Sequence, residues 1–293
     1  IVQDFRLLYL RMGCESKLTD YKQLKKKALQ IRMDLLDITY RGKGGHPGGS
    51  LSSADVLVAL YYEIMRIDPR HPDWPDRDRF ILSKGHCVEG YYAVLSDLGF
   101  FPKEELDSYR DFNSRLTGHP SNQLPGIDVN TGALGHGLSI GVGMALAGKM
   151  DKKDYKVYVL MGDGEQAEGS IWEAAMAGSH YKLDNLTGII DRNRLQISGN
   201  TEKVMALESL KDKWSSFGWE VLEVDGNNME ALVEGFRRFS ADNHRPHLMI
   251  ANTTKGKGIS FMENKPEWHH KVPSEEEWNQ ALHELRVQRK EIG

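Results

Sequence analysis

The sequence predicts an α/β protein with a mainly parallel sheet and helices on both faces. Short apolar runs at 80–82, 155–162, 186–191, 219–226 and 247–254 alternate with stretches of helical periodicity. Glycine-rich stretches close several of these runs, as loops at strand ends do. With 293 residues, 40% hydrophobic and 27% charged, the chain has the profile of a folded protein rather than a disordered one.

The elements follow in order. Thr19 or Asp20 can cap a long first helix, whose apolar stripe is Leu24, Ala28, Ile31, Leu35 and Ile38. The stripe stops at "RGKGGHPGGS", five glycines in residues 41–50, read as a loop. A second helix is expected from about Ser53 to Met65. The Pro-rich stretch "RHPDWPDRDRF" then leads into a buried strand at Phe80–Leu82, a loop holding His86, and a helix over Tyr91–Leu98. Small residues in the helix expected at about 137–149 permit close packing. Strand 155–162, helix 169–183, strand 186–191, strand 219–226, helix 228–240 and strand 247–254 complete the sheet. In the tail, Ser274 and Glu277 form a capping box ahead of Trp278, Leu282 and Leu285. No repeat or low-complexity linker interrupts the chain. The expected organisation is an N-terminal extension over 1–18, one main domain over 19–265, and a C-terminal loop and helix over 266–293.

Bulk properties exclude several functions. A net charge of −4 argues against a nucleic-acid surface, and Lys25–Lys27 reads as a solvated helix face. Two cysteines, Cys14 and Cys87, are too few for a disulfide framework or a thiolate zinc site. No apolar stretch is long enough to cross a membrane, and "IVQDFRLLYLRMGCESK" lacks the core of a secretory signal. A cytoplasmic protein is expected. "GKGG" is not followed by Lys-Ser or Lys-Thr, and no G-x-G-x-x-G opens a helix, so no nucleotide-binding loop is present.

The informative stretch is "MGDGEQAEGSIWEAAMAGSHYKLDNLTGIIDRNRLQISG", residues 161–199. Asp163 ends one strand, and Asn193, 30 residues later, ends the next. A right-handed crossover returns the chain parallel and adjacent, so both side chains reach the carboxyl edge of the sheet, where ligands gather. A carboxylate and an amide oxygen are hard donors suited to magnesium with phosphate oxygens. Gly162 and Gly164 leave room for a diphosphate, and the helix after Gly169 aims its positive end the same way.

That stretch resembles the thiamine-diphosphate motif of transketolases. "GGHPGGSLS" (44–52), "LSKGHC" (82–87), "GHP" (118–120), "TGALGHGLSIGVGMA" (131–145) and "TKGKGISFMENKPEWHHKVP" (254–273) are similar to further segments of that family, in order. The resemblance spans about residues 19–273. It implies the thiamine-diphosphate-binding fold and ketol transfer with thiamine diphosphate and Mg2+, for which Ca2+ or Mn2+ could substitute. By resemblance, Asp163, Asn193 and the Leu195 carbonyl hold the metal. His86, Gly132, Leu134, Gly162, Asp163, Gly164, Glu165 and Asn193 contact the cofactor. His46, His86, His119 and one of His269 and His270, with His269 favoured, line the sugar channel and move protons. Glu168 corresponds to a glutamate at the dimer interface that links two active sites.

Full-length transketolases also carry pyrimidine-binding and C-terminal domains, and a glutamate of the former starts cofactor activation. Neither domain has a counterpart here. The resemblance therefore implies the N-terminal subunit of a split transketolase, partnered by a separate C-terminal subunit in an α2β2 assembly. The default substrates are sugar phosphates, xylulose 5-phosphate as donor and ribose 5-phosphate as acceptor. The alternatives are a sulfonated or non-phosphorylated ketose, deoxyxylulose-phosphate synthase or dihydroxyacetone synthase activity, and a non-catalytic partner subunit. Two departures stand out: Ala133 and His136 replace a common Pro and Gln, and His269-His270 replaces a common His-Gly.

Overall fold

A computed structural model describes residues 19–239 and 243–293. The expected extension over 1–18 lies outside the described residues. Five parallel strands form the central sheet: β1 (Arg79–Leu82), β2 (Val157–Gly162), β3 (Leu186–Arg192), β6 (Glu220–Asp225) and β7 (His247–Asn252), in the order β1-β2-β3-β7-β6. A short antiparallel hairpin, β4 (Leu195–Gln196) with β5 (Gly199–Asn200), follows β3 directly. The sequence does not reveal it because two-residue strands leave no periodicity.

Alternate strand residues point to opposite faces, and the two cores show it. Phe80, Leu82, Tyr158, Leu160, Met249 and Ala251 join one apolar cluster, with helices α1 (Tyr21–Arg41), α2 (Pro47–Ala59), α3 (Val88–Leu98) and α8 (Met229–Arg238). Ile81, Val157, Val159, Met161, Leu248 and Ile250 join the other, with α4 (His136–Met150), α5 (Gly169–His180) and α7 (Leu210–Ser216). A four-residue turn of helix, α6 (Thr201–Val204), precedes α7. The expected doubly covered sheet is present. In α1, Asp20 is the cap, its carboxylate accepting from the Gln23 N–H at 3.0 Å. Gly141 brings α4 down onto the sheet, where a Cβ would sit 2.6 Å from Val159 Cγ2.

The second helix departs from the expectation. It opens at Pro47, well before Ser53, with Pro at the first helical position. Its last turn widens into a π-helical turn at Leu60–Ile64. Gly48 and Gly49 therefore lie inside the helix. Their role is close approach: a Cβ on Gly48 would meet the Trp268 carbonyl oxygen at 2.6 Å, and one on Gly49 would strike Cys87 Sγ. Residues 266–293, expected as a separate tail, supply α9 (Glu275–Glu291), which packs on α1. Trp278 stacks on Tyr40 at 4.6 Å, its Nε1 donates to Asp37, and Leu282 and Leu285 enter the first core. The capping box at Ser274 and Glu277 is formed. Among the described residues no helix is long and apolar enough to cross a membrane.

Candidate functional site

The register of the sheet sets the site. Gly162 of β2 lies beside Asp191 of β3, so the chain leaves both strands at one level, with Asp163 one residue and Asn193 two residues beyond that pair. Asp163 is 2% exposed. Its Oδ1 accepts from the Gly164 N–H at 2.8 Å, and its Oδ2 from the Arg194 N–H at 2.5 Å and Arg192 Nη1 at 3.2 Å. Burial, with the Asp191 carboxylate behind it, pushes Asp163 above the usual carboxylate range. Asn193 Oδ1 accepts from the Leu195 N–H at 3.1 Å, while its Nδ2 donates to Asp191 at 3.0 Å. The amide is thus oriented with its oxygen toward the loop that carries the Leu195 carbonyl.

Asp191 organises the floor. It is fully buried and accepts from Lys84 Nζ at 2.5 Å, Ser52 Oγ at 2.6 Å and Thr253 Oγ1. Burial opposes its charge, but Lys84 and these donors hold its carboxyl below the usual range. Lys255 is different. It is 2% exposed, and among the described residues its Nζ hydrogen-bonds the Leu195 carbonyl at 3.3 Å and lies 3.0 Å from His269 Nδ1. No carboxylate pairs with it among the described residues, and burial lowers its pKa. A buried cation without a counter-ion is costly.

The imidazoles converge on this lysine. The His46 ring lies 5.1 Å from His86, 5.5 Å from His269 and 4.6 Å from His270, and His86 lies 5.2 Å from His269. Burial first, then His270 and His119, brings His46 to about 4. Burial and Lys84 bring His86 to about 2; burial and Lys255 bring His269 to about 3. Burial also lowers His119, whose ring would abut a Cβ on Gly132 at 3.0 Å. As an ammonium, Lys255 can only donate to Nδ1 of His269, which would leave the proton of the neutral ring on Nε2. His269 is thus the inner member of its pair, and His270 is the exposed one.

Other expected residues fall differently. Glu165, expected at the cofactor, turns inward. It accepts from Ser83 Oγ and the N–H groups of Gly135 (2.8 Å) and Gly162 (2.9 Å), bracing the strand ends rather than offering a free oxygen. Gly162 has room, with nothing nearer than 3.9 Å to an added Cβ, whereas Gly164 is packed against Gln196 at 3.1 Å. A 3-10 turn, Gly164–Ala167, intervenes before α5, so the N–H group beside Asp163 belongs to that turn and not to the helix after Gly169. Leu134 is half-buried, and its carbonyl lies 3.2 Å from Nδ1 of the exposed His136, which opens α4 instead of lying in a loop. Glu168 caps α5 without a side-chain hydrogen bond and is exposed. Lys84, Asp191 and Lys255 were not singled out from the sequence. A signal existed: Lys84 and Lys255 each stand two or three residues beyond the carboxyl end of a strand, the placement that drew attention to Asp163.

Among the described residues no three His, Cys, Asp or Glu side chains form a metal cluster. The donors at hand are one carboxylate, one amide oxygen and one main-chain carbonyl, beside the buried ammonium of Lys255. That set fits a hard divalent cation completed by oxygens of an anionic ligand, whose charge Lys255 would balance.

A family profile described as transketolase, thiamine diphosphate binding domain, matches residues 24–291. The chain belongs to the transketolase family. It is 59% identical over 254 residues to a protein of Phocaeicola vulgatus, and 46% identical over 268 residues to one of Actinobacillus succinogenes. Both are named as one subunit of an apulose-4-phosphate transketolase, and the matches cover 87% and 91% of this chain and 90% and 97% of those proteins. It is 45% identical over 242 residues to the 6-deoxy-6-sulfo-D-fructose transketolase subunit SqwG of a Clostridium species, covering 82% of this chain and 88% of that protein. Against human transketolase the identity is 39%, covering 90% of this chain but 42% of that protein. The solved transketolase of Campylobacter jejuni superposes with a TM-score of 0.84 at 29% identity, over 92% of this chain and 45% of that one. The chain is thus matched over nearly their whole length by family members named as subunits, and by the corresponding part of longer transketolases.

Proposed function

We propose that this chain is the diphosphate-anchoring subunit of a two-subunit transketolase, and that its donor is apulose 4-phosphate rather than the expected xylulose 5-phosphate. The single observation that carries this is the coverage. Relatives named as subunits of apulose-4-phosphate transketolase match over nearly their full length, at higher identity than the conventional transketolases. The default donor gives way on that ground, and a sulfonated ketose is the second reading, from the relative that is 45% identical.

In this reading Asp163, Asn193 and the Leu195 carbonyl hold Mg2+, and Lys255 and His86 meet the diphosphate. When bound, thiamine diphosphate supplies the nucleophilic carbon and electron sink needed to break the bond next to a ketose carbonyl. The chain's own work is placement and proton handling. His269 offers its Nε2–H to an oxygen of the sugar, with the proton fixed there by Lys255. His46 and His119, neutral at pH 7, accept or donate protons at the sugar hydroxyls. Glu168, whose side chain makes no hydrogen bond among the described residues, faces the partner subunit, which completes an α2β2 assembly and supplies the activating carboxylate.

The test is ketol transfer by the chain copurified with its natural partner, given Mg2+, thiamine diphosphate, an aldose phosphate acceptor and one of three donors. The expected order of kcat/KM is apulose 4-phosphate above 6-deoxy-6-sulfofructose and xylulose 5-phosphate. A preference for xylulose 5-phosphate would reject the donor assignment, and activity of the isolated chain would reject the split active site.

A further inference from the structure

We infer that Arg192 is a positioning residue for Asp163, one that decides which carboxylate oxygen is left for the metal; this rests on Asp163 being a metal ligand. Arg192 ends β3 and is 1% exposed. Its neighbours in sequence, Asp191 and Asn193, turn to Ser52 of α2. Arg192 turns the other way, into the segment after β5. Nη1 is shared between Asp163 Oδ2 at 3.2 Å and Thr201 Oγ1 at 2.7 Å. Nη2 is shared between Glu202 at 2.7 Å and Glu208 at 2.9 Å. Glu202 in turn accepts from the N–H groups of Leu207 and Glu208, so residues 201–208 fold around one guanidinium.

Two consequences follow for Asp163. A carboxylate oxygen accepts about two hydrogen bonds. Oδ2 already has two, from Arg192 and Arg194, while Oδ1 has one, from Gly164. Oδ1 is therefore the oxygen with capacity for a cation. Arg192 also meets Asp163 through a single long hydrogen bond, not a bidentate fork, because Glu202 and Glu208 take its outer edge. The two glutamates balance the guanidinium charge, so it orients Asp163 without competing strongly with a metal. Groups that orient a metal ligand from behind typically change metal affinity by about 10–100-fold when removed.

The experiment uses the full chain with its partner subunit. Mg2+ is titrated at saturating thiamine diphosphate and binding is read by calorimetry, with the electron paramagnetic resonance line shape of Mn2+ as a geometric readout. R192M should weaken Mg2+ at least about tenfold, and R192K should recover part of the loss while altering the Mn2+ spectrum. If R192M does not fold, R192K alone decides: weakened Mg2+ with a changed spectrum supports the inference, and unchanged values overturn it. Unchanged or tighter Mg2+ binding in folded R192M also overturns it. D163N separates the two levels. If it loses metal-dependent binding while R192M does not, only the role of Arg192 falls; if it retains binding, the assignment of Asp163 falls as well.

Discussion

Lys255 Nζ lies 3.0 Å from His269 Nδ1, and no carboxylate among the described residues pairs with that ammonium. The contact orients the imidazole and leaves a buried positive charge open to an anion. Lys255→Met should therefore weaken thiamine diphosphate at least about tenfold, roughly 1.4 kcal/mol or more. Anion binding favours the charged lysine, so affinity is complete below the depressed pKa of free Lys255 and is lost as pH rises through its value in the complex. Calorimetric titration across the alkaline range should show this fall in the wild type and not in Lys255→Met.

The buried imidazoles make the ligand-free protein sensitive to acid. His46 titrates near 4 when folded against an ordinary 6.5, so between these values the unfolded chain takes up a proton that the folded one refuses. Stability contributed by the neutral ring is present above about pH 6.5 and is lost as pH falls toward 4. His86 and His269 add to the loss in the same direction. Urea midpoints at pH 7 and pH 4.5 should differ less in His46→Asn than in the wild type. An equal difference would show that this ring is not held neutral.

Lys84 and Asp191 form a fully buried ion pair. Removing one partner strands the other charge, at a cost of about 3–5 kcal/mol. Lys84→Met and Asp191→Asn should each destabilise by that order in urea unfolding, and the double variant by clearly less than their sum. Additive losses would mean the two groups do not depend on each other.

Part of this site was legible in the sequence for a definite reason. The rule that ligands gather beyond the carboxyl ends of parallel strands brings Asp163 and Asn193 to one edge of the sheet from the runs "YKVYVLMG" and "LTGIID" alone, and the register of Gly162 with Asp191 sets the two strand ends at one level. The same rule reaches Lys84 and Lys255, but a lysine near glycines reads as solvated until packing shows it buried. The expectation that Glu165 contacts the cofactor comes from the resemblance, and its internal bonding is not legible in the sequence. Its three internal donors, from Ser83, Gly135 and Gly162, come from residues brought together only by the fold. The start of α2 was hidden by Gly48 and Gly49, which weaken a helix in isolation and are needed here because Trp268 and Cys87 leave no space for a side chain.

In the proposed function Asp163, Asn193 and Leu195 anchor the diphosphate of thiamine diphosphate through a divalent cation. The most direct test is calorimetric titration of thiamine diphosphate into the wild-type protein and Asp163→Ala, each with and without Mg2+. Tight, Mg2+-dependent binding is expected in the wild type, and loss of the Mg2+ dependence in folded Asp163→Ala. Equal, Mg2+-dependent binding by the two proteins would contradict it.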